Sequence, residues 1–202
     1  MKKIVLFFIL FSLFSFLFSL SIPEELVYNI KITGINVGYQ KLSINEHSEN
    51  RLKIISHTKT NPFFSRLYKV DNYIETIVDN ETFLPVYINE SINERGNKKS
   101  YKGTLDQKEN IFNIPSLIYY LRTTSLDVGM VKEISLITCG KIKKPKVVVD
   151  GIENVRVMGK VYEAKKVSCE GTVVWFSKDN NLPVMIEIQL KGGMKLKGYL
   201  KK

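Results

Sequence analysis

From Glu25 to the end of the chain, apolar side chains recur at every second position in run after run. Leu26, Tyr28, Ile30 and Ile32 form one such set. Ile186, Ile188 and Leu190 form another, with Glu187 and Gln189 between them. Met194, Leu196 and Leu200 share a face opposite Lys195, Lys197 and Lys201. A period of two means strands with one face buried and one in water. Turn-forming residues punctuate the runs at Thr33 and Gly34, 45–50, Asp79 and Asn80, Gly96 and Asn97, 106–110, Gly159 and Lys160, 179–181, and Gly192 and Gly193. That spacing is close to the 8–12 residues typical of antiparallel sandwiches and barrels.

The pattern predicts strands at 25–32, 37–46, 51–60, 68–78, 85–94, 98–105, 131–139, 144–157, 161–170, 172–177, 183–190 and 194–200. Two stretches break the alternation. Residues 61–66 are apolar without a period. Residues 115–122 predict a short helix, with Pro115 in its first turn and Leu117, Ile118 and Leu121 at helical spacing. No low-complexity linker divides the chain. The fold class predicted is all-β: a strongly curved antiparallel sheet or open, barrel-like architecture with one short helix. Residues 79–86 and 178–184 echo each other, each a polar turn running into Leu-Pro-Val. Proline is tolerated at the first residue of a strand, so the echo marks either two related hairpins or one common turn solution.

The first 21 residues have a different plan. Lys2 and Lys3 precede an apolar run at 4–20, broken only by Ser12, Ser15 and Ser19. A charged start, an apolar stretch and small residues at a cleavage site describe a secretory signal, with the cut expected after Ser21. The alternative is a retained anchor tethering the protein to the inner membrane, since the Phe-rich run is apolar enough to hold a membrane and lies at the short limit of the about 20 residues of a span. The domain expected is then 22–202, exported to the periplasm or outer envelope. This location leaves no role for nucleic acid.

Charge adds a second partner class. The net charge is +10, falling to +8 without Lys2 and Lys3. An exported basic protein meets anionic envelope surfaces. The lysines are scattered along the chain, which reads as solvated strand faces; a Lys-rich turn at 141–146 offers the sharper alternative of a contact with an envelope partner or anionic surface. Cys139 and Cys169 lack CxxC spacing and are expected as unpaired thiols, with a bridge as the alternative.

Catalytic signals are thin. His47 lies in a polar turn and His57 in mid-strand, and no GxSxG, HExxH or SxxK occurs. Asp71 and Glu75 fall on one strand face and could form an acid–base pair, though solvated carboxylates are far commoner. The chain predicts no metal, cofactor or catalytic residues. The aromatics are more suggestive. Phe63, Phe64, Tyr68, Tyr73, Tyr119, Tyr120 and Trp175 fall in or near the non-alternating segments. Core packing accounts for such a set; the leading functional reading is a non-enzymatic envelope protein with an apolar cavity between curved sheet and helix, holding a lipid-like ligand, and the alternative is a structural or interaction module. Phe63, Phe64, Tyr68, Leu117, Tyr119, Tyr120 and Trp175 are the candidate ligand-binding residues, with Ile118 and Leu121 helping to close the cavity. The protein is expected to be a monomer.

Several segments in this order carry a resemblance: 25–28 with 34–38, Asn-Pro-Phe-Phe-Ser-Arg-Leu-Tyr-Lys-Val-Asp at 61–71, Ile74 and Glu75, Leu84 and Pro85, Pro-Ser-Leu-Ile-Tyr-Tyr-Leu-Arg at 115–122, Val-Trp-Phe-Ser at 174–177, and Leu-Pro-Val at 182–184. Over about 22–200 the chain resembles the exported bacterial family catalogued as domain of unknown function 3108. The resemblance implies an exported, β-rich envelope protein and brings no catalytic residues. Residues 139–146 depart from it, with a cysteine and lysines where a Gly- and Asp-rich loop is expected. More loosely, a curved sheet with a helix on its concave side is similar to the periplasmic lipoprotein carriers, an analogy of fold alone.

Overall fold

The computed structural model describes residues 20–106, 109–190 and 193–201. The predicted signal segment, up to residue 19, lies outside them. Twelve strands form one antiparallel sheet, and the chain runs through it in two meanders. The first comprises β1 (Glu24–Ile32), β2 (Ile35–Ser48), β3 (Arg51–Thr60), β4 (Asp71–Asp79), β5 (Pro85–Glu94) and β6 (Asn97–Thr104). The second comprises β11 (Lys146–Val157), β12 (Lys160–Cys169), β13 (Thr172–Ser177), β14 (Pro183–Gln189) and β15 (Lys195–Leu200). They join where β15 pairs with β1, Tyr28 opposite Leu200. The short β8 (Val131–Glu133) adds to β11, so β6 and β8 are the two edges and the sheet does not close on itself.

Two helices interrupt the strands where the alternation fails. Pro62–Ser65 forms α1, one turn capped by Asn61. Ile114–Thr123 forms α2, close to the predicted 115–122. Asn113 caps it, accepting from the Ser116 N–H while the Ser116 hydroxyl accepts from the Asn113 N–H, so the first turn's free donors are satisfied. The predicted strand at 68–78 begins only at Asp71, because residues 66–70 complete the turn that follows α1.

Helix α2 fills the concave side. Leu117, Ile118, Tyr119 and Leu121 are buried with Tyr28, Leu42, Ile54, Val149 and Phe176 in one core. Polar contacts reach α2 from both halves of the sheet. Asn113 donates to the Thr76 hydroxyl on β4 at 2.6 Å, and Asn181, between β13 and β14, donates to the carbonyls of Arg122 and Thr124. A sheet that touches one helix from strands so far apart in its order must wrap around it.

The gap between the edges is bridged by a bent hairpin. The predicted strand at 131–139 is broken into β8 and β9 (Ser135–Thr138), the one predicted at 144–157 is the single strand β11, and the expected Lys-rich turn at 141–146 holds the short, unpredicted β10 (Lys141–Lys143). The unpredicted β7 (Ile111–Phe112) pairs in parallel with β9. The hairpin tip reaches β5 and β6: the Cys139 N–H donates to Glu90 Oε2 at 2.6 Å, and Gly140 lies against the Tyr101 ring. Gly140 has φ +73°, and a Cβ there would come within 2.9 Å of that ring, so both conformation and space call for glycine. Ile88, Ile111 and Ile137 form a second small core beneath the tip.

Glu90 is 2% exposed. Burial raises its carboxyl above the ordinary 4.5, against the opposing pull of the Cys139 hydrogen bonds. The proton is therefore held more tightly in the folded chain. The stability this contributes is complete below about pH 4.5 and is lost as pH rises through the raised value. Glu90→Gln, which keeps an acceptor for Cys139, is expected to match the parent near pH 4 and to exceed it near pH 8. Urea midpoints at both pH values check this; a gap of the same size at each would remove Glu90 as its source.

The sequence echo is a structural one. In each turn the first residue's N–H bonds to the carbonyl five residues on, and its carbonyl accepts from the N–H four residues on: Asp79 with Leu84 and Phe83, and Ser177 with Leu182 and Asn181. Phe83 and Asn181 both have positive φ, 56° and 50°. Each preceding strand carries a bulge, with Val78 opposite Pro85 and Phe176 opposite Pro183.

Candidate functional site

The seven candidate ligand-binding residues do not meet in one place. Leu117 and Tyr119 face the core from α2, and Tyr120 is half-buried beside Phe112, its hydroxyl accepting from Lys132 at 2.6 Å. Burial raises the Tyr120 phenol, but hydrogen bonds from Lys132 and Thr124 outweigh it and hold it below the usual value. Trp175 is buried and belongs to the same core as Val174 and Phe176, while its ring also borders an outer-face groove, with Lys166 over it and its indole N–H donating to Glu153. Phe63, Phe64 and Tyr68 are at neither place. They belong to the α1 loop, where Phe63 is 68% and Tyr68 42% exposed. The expected grouping of aromatics fails for Phe63, Phe64 and Tyr68 because α1 projects from a strand end.

A buried polar cluster, unforeseen in the sequence, joins β1 to the end of α2. Arg122 pairs with both carboxylate oxygens of Glu24, its Nη2 at 2.9 Å from Oε1. Tyr119 donates to Glu24 at 3.5 Å, and Tyr28 donates to the Pro183 carbonyl at 2.7 Å. Burial first, then the Glu24 charge, pushes the Tyr119 phenol well up, and burial does the same to Tyr28. Both are neutral donors at neutral pH. The cluster ties the start of the domain to the helix and is structural in its chemistry.

The other candidates are set on the outer face. His57 Nε2 lies 2.9 Å from Asp71 Oδ1, and Lys59 is 3.6 Å from the same carboxylate. The His57 hydrogen bond is the main cause holding Asp71 below its ordinary range. Glu75 instead accepts from the Tyr73 hydroxyl at 3.2 Å, so Asp71 and Glu75 serve different partners. His57 and Asp71 lie outside both outer-face grooves described below. Among the described residues no cluster of His, Cys, Asp and Glu could hold a metal ion. Cys139 and Cys169 are unbridged and half-buried.

What the fold does gather is charge. In an antiparallel meander, alternate turns fall at opposite rims. One rim holds the β1–β2, β3–β4, β5–β6, β12–β13 and β14–β15 turns and the approach to β11. Its connecting segments carry Arg66, Lys69, Arg95 and Lys144 against Glu170, which Lys143 reaches at 3.2 Å. The other rim's turns carry Glu49, Glu81 and Asp179 against Lys178. Two open grooves descend from the basic rim on the outer face. One, of about 500 Å³, is lined by Lys146, Lys166, Lys195, Glu187 and Trp175; the next, of about 550 Å³, by Lys31, Lys195, Lys197 and Tyr199. Burial alone would raise Glu187, but Lys195 at 2.7 Å and Lys197 at 3.1 Å hold it down as a carboxylate. The remaining lysines leave both grooves positive.

Among the described residues no helix is long and apolar enough to cross a membrane. No curated protein matches the chain. Among solved structures, a beta-barrel-like protein of domain of unknown function DUF1849 from Brucella abortus is similar, with a TM-score of 0.53 and 14% identity over 89% of this chain and 96% of that one. A hypothetical protein, CT021, from Chlamydia trachomatis has a TM-score of 0.39 and 8% identity over 88% of this chain and 85% of that one. The first likeness bears on the fold alone, and it agrees with an open, barrel-like sheet. The family model described as "Protein of unknown function (DUF3108)" matches residues 27–114 and 102–201, nearly the whole described domain, and the chain belongs to that family.

Proposed function

We propose that this protein is an exported envelope module that binds an anionic surface through its basic rim. The observation that carries the reading is the sorting of charge between the two rims, with Arg66, Lys69, Arg95 and Lys144 on one and Glu49, Glu81 and Asp179 on the other. Export is supported by the charged, apolar and small-residue plan of the first 21 residues. The reading involves no catalytic group.

Vesicle sedimentation tests it. The full chain without residues 1–21 is expected to bind vesicles containing phosphatidylglycerol and to ignore those of phosphatidylcholine alone. Binding should be strong near 0.01 M salt and weak near 1 M, as the Debye length falls from about 30 to about 3 Å. Lys69→Gln with Lys144→Gln removes two cations worth about 1 kcal/mol each near such a surface, a loss of roughly 30-fold. Equal binding to both vesicle types would overturn the proposal.

The alternative, an apolar ligand between sheet and helix, draws less support because Leu117, Ile118, Tyr119 and Leu121 already fill that side. A stoichiometric lipid in an organic extract of detergent-free protein would reverse this preference.

A further inference from the structure

The α1 loop inverts the usual distribution of side chains. Its uncharged polar residues are spent on holding its shape. Asn61 Oδ1 accepts from the Phe64 N–H at 2.9 Å, and its amide donates to the Asn36 carbonyl at 3.0 Å. The Ser65 hydroxyl donates to the Asn61 carbonyl at 2.9 Å, and Thr60 Oγ1 accepts from the Val70 N–H at 3.1 Å. Its large apolar residues are turned outward: Phe63 and Leu67 are 68% and 72% exposed, and Ile35 on the neighbouring turn is 58% exposed. A loop left to solvation alone would do the reverse, and contiguous exposed apolar surface marks an interaction site.

Charge identifies the occupant. Arg66, Lys69 and Arg95 stand exposed around the knuckle, with Arg95 4.8 Å over the Tyr68 ring. The flanking acids are engaged elsewhere, Asp71 by His57 and Lys59, and Glu94 by the Asn72 amide at 2.8 Å. Aromatic and aliphatic tips ringed by cations fit the headgroup boundary of an anionic bilayer, where the tips reach the acyl region and the cations stay with the phosphates. The knuckle is continuous with the basic rim, and β1 begins at Glu24 on the opposite rim.

We infer that Phe63 and Leu67 insert into the interface of an anionic bilayer, anchoring the domain after its basic rim has docked. This rests on the proposed rim function and adds to it a contribution that salt does not screen.

Trp175 is the chain's one tryptophan and lines an outer-face groove, so Trp175→Phe removes it and leaves an introduced probe alone. The experiment uses Phe63→Trp in that background and vesicles of phosphatidylglycerol with brominated acyl chains. The expected result is quenching and a blue shift of the F63W emission. In parallel, Phe63→Ser with Leu67→Ser, both at exposed positions, is expected to keep its unfolding midpoint and lose roughly tenfold in vesicle affinity. If F63W sediments with vesicles but is not quenched, the insertion is overturned while rim docking stands. If neither protein sediments at low salt, both are overturned.

Discussion

Glu24→Ala is expected to destabilise the domain by about 3–5 kcal/mol, because it leaves the Arg122 guanidinium buried without its counter-charge. Arg122 is 7% exposed and the Glu24 side chain 16%, so water replaces little of the lost carboxylate. For a domain of this size the change lowers Tm by roughly 6–20 °C. The double variant Glu24→Leu, Arg122→Met should cost less than Glu24→Ala alone, since a buried pair exchanged for apolar side chains of similar size removes both desolvation penalties. The Arg122 Nε, which has no hydrogen-bond partner among the described residues, adds to that expectation. Thermal unfolding of the three proteins decides the matter. A single variant within about 1 kcal/mol of the parent would mean that the pair is solvated and does not hold β1 to α2.

Tyr119→Ala is expected to cost about 3–5 kcal/mol, the range for emptying a large core side chain. Tyr119 is 0% exposed and stands at the centre of the helix face that fills the sheet. Tyr119→Phe should stay within about 1 kcal/mol, since its hydroxyl makes only a long contact with Glu24. Equilibrium unfolding in urea separates the two. A small cost for the alanine variant would mean that α2 is loosely seated, and would return weight to an apolar ligand on the concave side.

Much of the fold was legible because its cause is local. The two-residue period along β1 and β14 needs only the alternation of side chains across a strand, and α2 announced itself through Pro115 and the spacing of Leu117, Ile118 and Leu121. The paired turns before Pro85 and Pro183 were visible as an echo because each is specified within eight residues. The bend that splits β8 from β9 was not legible, since it answers to Glu90 and Tyr101 some forty residues away in the chain. The aromatics misled for a related reason: proximity in a list of unusual segments says nothing of where each segment lies in the fold, and Phe63, Phe64 and Tyr68 belong to a loop that projects from a strand end.

Glu24 and Arg122 lie 98 residues apart, and no pattern in either neighbourhood points to the other. The same holds for the rim. Arg66, Lys69, Arg95 and Lys144 look scattered along the chain, and they become one basic edge only once the meander places alternate turns at the same end. By itself, then, the sequence determined the all-β class, the positions of most strands, the helix and the family, each written in short-range periodicity or contiguous motifs. Only the tertiary structure decided which face each side chain presents, that α2 fills the concave side, and which charges become neighbours. These depend on strand order and register, which bring together residues far apart in the chain.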